Sequence, residues 1–250
     1  MSDIHSTALV ETGAQLGPDV QVGPFAIIEA GAELGPGCVV EPHARIYGCV
    51  RLGARNVIGT GAVLGGPAQH RDGSRPGGLV VIGDGNTFGE YSTVHRPAKG
   101  DATRLGHRNW LMAYSHVGHD CMIGNGNVFA NGVQLGGHVV VGDGANLGGL
   151  AGVHQFVRIG DLAMIGALSV AVWDVPPYAA VEGRPARIHS LNLVGLKRAS
   201  IAPNVIRELH TMLRAYRQQE LAPLSREGQR LLEFLRATGK RGITPWCREG

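Results

Sequence analysis

The chain has 250 residues and a formal net charge of +3, which is enough for one large domain or two small ones. Hydrophobic residues make up 44% and charged residues 17%, a balance that excludes a disordered polyelectrolyte and an integral membrane protein. The opening Met1-Ser2-Asp3 has no basic or apolar run, so we expect no secretory signal, no membrane segment and a cytoplasmic protein. The four cysteines lack the spacing of zinc ligands and predict reduced thiols; they are Cys38, Cys49, Cys121 and Cys247.

A period of six residues runs through most of the chain. Counted from Ile4 and resumed after each of two breaks, the pattern gives 24 hexapeptides, and 23 of them begin with Leu, Ile, Val or Phe. This period fits neither an amphipathic helix nor an ordinary strand, and it predicts a parallel β-helix of about eight coils with three hexapeptides in each. Glycine is the second residue in 15 of the 24 hexapeptides, where unusual backbone geometry would let the chain turn a corner.

Two segments interrupt the frame, and the pattern changes again near the C-terminus. The interruptions at 64–81 and 94–104 predict protruding loops, either functional or simply solvated. We expect a β-helix domain at 1–183 and a helical domain at 184–250. One helix opens at Pro203, with Ile206, Leu209, Leu213 and Tyr216 on one stripe, and a second includes Leu231, Leu232 and Leu235.

Charge divides along the same boundary. Residues 1–183 hold 10 basic and 15 acidic residues, whereas 184–250 hold 13 and 5. A basic appendage of this kind could meet an acidic protein, a phosphorylated small molecule or nucleic acid, or could be a solvated helix face.

The predicted coils bring several polar residues together, because residues one coil apart stack on one face. His119, Gly137 and Gln155 form one column, Asp120 and His138 form the next, and His116 and His154 flank them. Histidine suits proton transfer near neutral pH, an adjacent carboxylate would fix its tautomer, and a bare glycine N–H could stabilise an oxyanion. Catalysis, metal binding and exposed corner histidines all remain open from spacing alone.

The residues in this region resemble a known family, the UDP-N-acetylglucosamine O-acyltransferases that begin lipid A synthesis, and the resemblance covers nearly the whole chain. It rests on Thr93-Val94-His95-Arg96, Ala113 to Cys121, Gly136-Gly137-His138, Val153-His154-Gln155-Phe156, Asp174 to Tyr178 and Asn192 to Arg198.

The resemblance implies a left-handed β-helix, a homotrimer, and transfer of an acyl or 3-hydroxyacyl chain from acyl carrier protein to the 3-hydroxyl of UDP-N-acetylglucosamine. It implies His119 as general base, Asp120 as its partner and Gly137 as oxyanion donor, with Ala167 as a ruler of acyl length. The substrate contacts that we expect are Gln69, His70, His95, His116, His138, His154, Gln155, Asn192 and Arg198. We expect no cofactor, no resident metal and no nucleic-acid partner.

This chain departs from the family pattern at three positions. His70 stands where the family has Asp, Asp72 stands near where it has Lys, and Val194 replaces a Glu. A paralogue that uses another nucleotide sugar or acceptor, or acyl-CoA, is therefore the alternative. A trimeric zinc enzyme of the carbonic-anhydrase type and a noncatalytic β-helix are further hypotheses.

Overall fold

The computed structural model describes residues 3–215, 222–237 and 239–247. Residues 3–171 coil into a parallel β-helix with three sheets, which we call A, B and C. Each coil contributes one short strand to each sheet, and equivalent residues of successive coils pair in register, as Asp3 does with Gln21 and Gln21 with Val39.

The strands of the three sheets follow one another in strict rotation along the chain. Sheet A holds β1 (Asp3–Ile4), β4 (Gln21–Val22), β7 (Val39–Val40), β10 (Val57–Ile58), β13 (Thr87–Phe88), β16 (Trp110–Leu111), β19 (Val128–Phe129), β22 (Asn146–Leu147) and β25 (Met164–Ile165). Sheet B holds β2 (Leu9–Val10), β5 (Ile27–Ile28), β8 (Arg45–Ile46), β11 (Val63–Gly66), β14 (Thr93–His95), β17 (His116–Val117), β20 (Gln134–Leu135), β23 (Gly152–Val153) and β26 (Val170–Ala171). Sheet C holds β3 (Gln15–Leu16), β6 (Glu33–Leu34), β9 (Val50–Leu52), β12 (Leu79–Ile82), β15 (Ala102–Leu105), β18 (Met122–Ile123), β21 (Val140–Val141) and β24 (Arg158–Ile159).

The core is the column of aliphatic residues that begin the hexapeptides. Ile28, Ile46, Leu111 and Leu135 are examples that are wholly buried. The interruptions begin later than expected, because Leu64 and Val94 continue the buried frame in β11 and β14. The protruding loops are therefore shorter and span 67–78 and 96–101.

The reason for glycine at the second hexapeptide position differs from our expectation. Positive φ angles occur two residues later, as at Asp19 with 59° and His43 with 59°, and not at the second-position glycines. A Cβ atom at Gly35 would lie 2.5 Å from the backbone carbon of Gly53 in the next coil. Close approach of stacked coils, rather than corner geometry, excludes a side chain there.

A hairpin and three helices cap the β-helix. β27 (Ala179–Gly183) continues sheet A and pairs antiparallel with β28 (Ala186–Leu191), so the expected 183/184 boundary falls at the turn of a hairpin. The helices are α1 (Leu193–Arg198), α2 (Pro203–Ala215) and α3 (Arg226–Arg236).

The predicted helical stripes pack as expected where the structure describes them. Leu209 and Leu213 of α2 and Leu231 and Leu232 of α3 are buried, whereas Tyr216 lies outside the described residues. Within the described part of the chain, no helix is long and apolar enough to cross a membrane.

Candidate active site

Six histidines gather along the outer face of sheet B and along the edge where sheet B turns into sheet C, which we call the B–C edge. His116 leaves β17, and its register partners Thr93 and Gln134 lie in the coils on either side. One coil further on, the N–H of His138 donates to the carbonyl oxygen of His119 at 2.9 Å, so the turns that carry these two residues stack. The six are His70, His95, His116, His119, His138 and His154.

His119 and Asp120 form a buried hydrogen-bonded pair at this edge. Nδ1 of His119 lies 2.6 Å from Oδ2 of Asp120, and the two residues are 7% and 9% exposed. Asp120 has a φ of 62°, a conformation that Asp tolerates better than most residues. Its backbone N–H donates to Oγ1 of Thr103, which fixes the turn that carries the pair.

The loop at 96–101 surrounds the Asp120 carboxylate with backbone donors. The N–H groups of Ala98 and Lys99 donate to it at 2.9 and 3.2 Å, and the N–H of Gly100 donates as well. Burial by itself would raise the pKa of Asp120, but the hydrogen bonds from His119 and from these N–H groups outweigh it and lower the pKa to about 2. Asp120 is therefore ionised at neutral pH, so Nδ1 of His119 donates and Nε2 stays free to accept a proton.

Gly137 lies against the free face of the His119 ring. A Cβ atom at Gly137 would lie 2.5 Å from Nε2 of His119, so only glycine leaves this space open. The N–H of Gly137 has no acceptor among the described residues, whereas its carbonyl accepts from Phe156 at 3.1 Å. A bare donor therefore lies beside the ring nitrogen that is free to accept a proton.

His138 lies edge-on to His119 with ring centroids 5.2 Å apart, and both His138 and the nearby His116 are neutral at pH 7. Burial lowers the pKa of His116 to about 4, and the neighbouring His95 and His119 add to the effect. Burial also lowers the pKa of His138, although Asp120 acts against it with Oδ2 3.7 Å from Nε2. Both rings can therefore donate and accept hydrogen bonds without carrying charge.

The two loops bring further predicted residues to the site. His70 lies edge-on to His119 with ring centroids 5.3 Å apart, and the exposed Gln69 precedes it. His95 lies 5.0 Å from His116 in the same way, and its Nδ1 is 2.6 Å from the carbonyl oxygen of Pro67.

Two ion pairs join the two loops, and one of them involves Asp72, a position where the chain departs from the family pattern. Asp72 lies 3.2 Å from Lys99 of the second loop, and Arg75 lies 2.9 Å from Asp101. The acidic residue at position 72 is thus matched by a lysine across the loop interface.

Three predicted residues lie elsewhere in this single chain. Asn192 caps α1, because its side chain accepts from the N–H of Gly195 at 3.0 Å and donates to the carbonyl of Leu162 at 2.9 Å. Arg198 is exposed at the end of α1, and Ala167 is exposed where sheet A turns into sheet B, which we call the A–B edge. None of the three lies on the B–C edge beside His119.

The sequence reasoning missed two groups of residues at the site. Phe156 stacks on His138 with ring centroids 4.6 Å apart, and it could have been found because it follows Asp120 and His138 in the same column. Lys240 and Arg241 also reach this edge: Nζ of Lys240 lies 4.1 Å from the Phe156 ring centroid, and Arg241 contacts His154. Nothing in the repeat pattern predicts their position, because they lie in the loop after α3.

Metal ligation is geometrically open at one place among the described residues. Donor atoms of His119, Asp120 and His138 lie within 4.8 Å of one another. These are two histidines and a carboxylate of one chain, whereas the carbonic-anhydrase hypothesis needs three histidines at a subunit boundary. The expected absence of a resident metal stays a prediction.

Comparisons with known proteins agree on one family. A family model described as "Udp N-acetylglucosamine O-acyltransferase; Domain 2" matches residues 174–244, and the six-repeat bacterial transferase hexapeptide model matches 13–48 and 102–137. The chain is 44% identical to an acyl-[acyl-carrier-protein]–UDP-N-acetylglucosamine O-acyltransferase of Paraburkholderia xenovorans, over 97% of this chain and 99% of that one. It is 50% identical to an enzyme of the same name from Halorhodospira halophila, over 92% and 87%.

Solved structures give the same result. The chain resembles the UDP-N-acetylglucosamine acyltransferase of Campylobacter jejuni with a TM-score of 0.91 and 34% identity, covering 98% of this chain and 100% of that one. The enzyme of Francisella novicida also gives a TM-score of 0.91, with 29% identity over 97% and 94%. The predicted fold, a left-handed parallel β-helix of hexapeptide repeats with C-terminal helices, is confirmed.

Proposed function

The chain belongs to the UDP-N-acetylglucosamine O-acyltransferase family, and from this premise we propose that it moves an acyl chain from acyl carrier protein to the 3-hydroxyl of UDP-N-acetylglucosamine, the first step of lipid A synthesis. The observation that carries the proposal is the His119–Asp120 pair with the bare Gly137 N–H beside it. These groups supply a base, a group that orients it, and an oxyanion donor, which acyl transfer requires.

The reaction begins with proton transfer to His119. Nε2 takes the proton of the sugar hydroxyl as its oxygen attacks the carbonyl carbon of the thioester. Asp120 stays ionised and stabilises the imidazolium through Nδ1, in the role that a buried carboxylate has in a serine hydrolase triad. The sugar hydroxyl thus becomes a nucleophile only where its proton lies within reach of Nε2 of His119.

The second half of the reaction releases the thiol. The carbonyl oxygen takes the negative charge of the tetrahedral intermediate and accepts a hydrogen bond from the N–H of Gly137. The intermediate then collapses, the C–S bond breaks, and the Nε2 proton of His119 passes to the leaving sulfur. The products are an ester on the sugar and a free thiol on the carrier, and His119 returns to its neutral form.

Substrate binding is proposed for the polar groups that surround this centre. The neutral rings of His116 and His138, together with His70, His95 and Gln69, would contact the sugar and the thioester; ring contacts that link four of these histidines with His119 support this proposal. His154 and Gln155 lie one coil further along the same edge. All of these residues belong to one chain, in which Asn192, Arg198 and Ala167 lie away from His119.

A homotrimer would bring in the missing residues. Exposed hydrophobic side chains form a column along the A–B edge, and such columns are typical of buried interfaces. They are Phe25, Tyr91, Tyr114, Leu150 and Leu168. If this edge packs on sheet B of a second copy, Ala167 of that copy lines a groove for the acyl chain, and Asn192 and Arg198 of a neighbouring copy serve the nucleotide.

We also propose the cytoplasm as the compartment. Cys38, Cys49, Cys121 and Cys247 are all free thiols in the structure, as is usual for proteins of reducing compartments.

The experiment that tests the activity is product analysis by mass spectrometry. The purified protein is incubated with a mixture of acyl carrier proteins that differ in chain length and 3-hydroxylation, with UDP-N-acetylglucosamine as acceptor. We expect one acyl group per nucleotide sugar. Mild alkali should release it, because esters are cleaved under these conditions and amides are not. Parallel reactions contain acyl-CoA or another nucleotide sugar, and product formed only in those reactions would contradict the proposal.

A further inference from the structure

The loop after α3 carries two cations to the B–C edge, at the point where the last coils meet the helical cap. Nε of Arg241 donates to the carbonyl oxygen of Gln155 at 2.9 Å, and Nη2 contacts the ring of His154. Lys240 lies over the face of Phe156, and the Phe156 ring also stacks on the ring of His138. The two cations therefore extend the histidine cluster at its C-terminal end.

Buried contacts with the last coil fix the position of this loop. Asp174 is fully buried, and its N–H donates to the carbonyl of Gly242 at 2.8 Å while its own carbonyl accepts from Thr244 at 2.9 Å. The Asp174 carboxylate is held in turn by Arg158, with Nε 2.8 Å from Oδ2. The main chain that follows the two cations is thus fixed by hydrogen bonds to the last coil, as a preformed binding site requires.

The charge of this pair is not balanced by nearby carboxylates. Within the described residues, neither Lys240 nor Arg241 forms an ion pair with Asp or Glu. Asp120, the buried carboxylate of the cluster, already accepts from His119 and from three backbone N–H groups. Since His116 and His138 are neutral at pH 7, this end of the site has unneutralised positive charge.

We propose that Lys240 and Arg241 form a subsite for a phosphate ester. The inference rests on the proposed function, because each substrate of that reaction carries phosphate. The nucleotide sugar carries a diphosphate, and the carrier holds its acyl chain on a pantetheine arm joined through a phosphodiester. The planar guanidinium of Arg241 can bind two phosphate oxygens at once, and the Lys240 ammonium adds a second positive charge.

The test compares Lys240→Gln and Arg241→Gln with Arg241→Lys, which keeps the charge but not the planar donors. Arg55→Gln is the matched control, since it removes an exposed positive charge from an early coil on another edge. The Kd values of UDP and of phosphopantetheine are measured by calorimetry at low salt, independently of turnover. KM is measured for UDP-N-acetylglucosamine, for acyl-phosphopantetheine and for acyl-pantetheine without phosphate.

We expect each Gln variant to weaken binding of one phosphate compound by about tenfold or more, with unfolding temperature unchanged. If only the Kd of UDP and the KM of UDP-N-acetylglucosamine rise, the subsite binds the acceptor. If the KM of acyl-phosphopantetheine rises and that of acyl-pantetheine does not, the subsite binds the acyl donor. Arg241→Lys should recover part of the loss, and Arg55→Gln should bind as the unaltered protein does.

Unchanged Kd and KM values in both Gln variants would overturn the phosphate subsite. The proposed function fails separately, if the unaltered protein makes no acylated nucleotide sugar. In that case the calorimetric Kd values still decide whether the two cations bind phosphate.

Discussion

Gly137 lies against the imidazole of His119 so closely that a Cβ atom there would be 2.5 Å from both Cε1 and Nε2. The ring has little freedom to withdraw, because Asp120 holds it through Nδ1 and His70 and His138 contact it edge-on. The glycine therefore keeps both the reactive nitrogen and its own N–H accessible.

Gly137→Ala should lower kcat by about 10²-fold, because the methyl group displaces the His119 ring and a displacement of about 1 Å costs that much. Gly152→Ala is the matched control, since a Cβ atom at Gly152 would meet nothing within 4 Å. The measurement is steady-state acyl transfer, with thermal unfolding to confirm that both variants fold. Equal kcat values for the two variants would argue that the space beside His119 is not used.

His119→Ala should lower the rate by at least about 10²-fold and by as much as about 10⁴-fold, the range that general-base assistance supplies. The assembly should keep its size in solution and its fold, because the ring lies outside the aliphatic core. Turnover near that of the unaltered protein would remove His119 from the role of base.

Stability should fall as the pH drops from about 6.5 toward 4, and His116 should be one cause. Its pKa is lowered to about 4, so between these pH values the unfolded chain binds a proton that the folded chain does not. The stabilisation is present above pH 6.5 and lost as the pH falls through 4. After allowance for solvent screening it amounts to about 2 kcal/mol.

Urea unfolding of His116→Gln at a series of pH values checks this expectation. The variant should lose less free energy of unfolding than the unaltered protein between pH 6.5 and 4, and the exposed His210→Gln serves as control. Identical pH dependence in all three proteins would contradict the assignment. At lower pH, between 3.8 and about 2, protonation of Asp120 should destabilise every variant that keeps it.

The basic C-terminal region should recruit the acidic carrier protein electrostatically. Surface attraction is screened over about 8 to 10 Å at physiological salt, so KM for acyl carrier protein should rise with ionic strength. Arg207→Glu, on the exposed side of α2, should raise it further. Arg214→Glu should act similarly, although it also removes a cation–π contact with Trp246 at 4.9 Å.

Acyl-phosphopantetheine without the protein part is the control for these measurements, and its KM should respond much less to Arg207→Glu. If the KM for acyl carrier protein responds neither to salt nor to the two substitutions, the region is a solvated face.

Ala167 should set the acyl length. Each buried methylene contributes about 0.8 kcal/mol, and a chain that is too long would lose that gain and clash with the alanine methyl. We expect a medium-length preference, longer products from Ala167→Gly and shorter ones from Ala167→Met, with KM for the acceptor nearly unchanged. Ala113→Met is the matched control, because Ala113 occupies the same hexapeptide position on the A–B edge three coils earlier. Coinciding product lengths would make Ala167 a packing residue.

Periodicity predicts the coils well because each hexapeptide repeats one physical requirement, an aliphatic side chain pointing inward. It also predicts which polar residues stack, as with His119 and Gly137. It fails at Leu64 and Val94, which lie in the last strand before a loop, so no next repeat identifies them as part of the frame.

Periodicity does not predict the contacts that the loops and the cap make with the site. The edge contact between His70 and His119 depends on how the first loop folds back, and residue spacing contains no information on that. The same holds for Lys240 and Arg241, whose position follows from the docking of a distant segment on Asp174. Family resemblance, and not periodicity, is what predicted His70 and His95.

The stacking of the coils has one further consequence. Each coil pairs only with the coil before it and the coil after it, so the geometry around His119 is set by its immediate neighbours and by the cap. The early coils support the later ones, and their number does not affect the geometry of the active site. Whole coils could be gained or lost there during evolution without altering the reaction. Insertion or deletion of a single residue, in contrast, would move every later side chain onto another face.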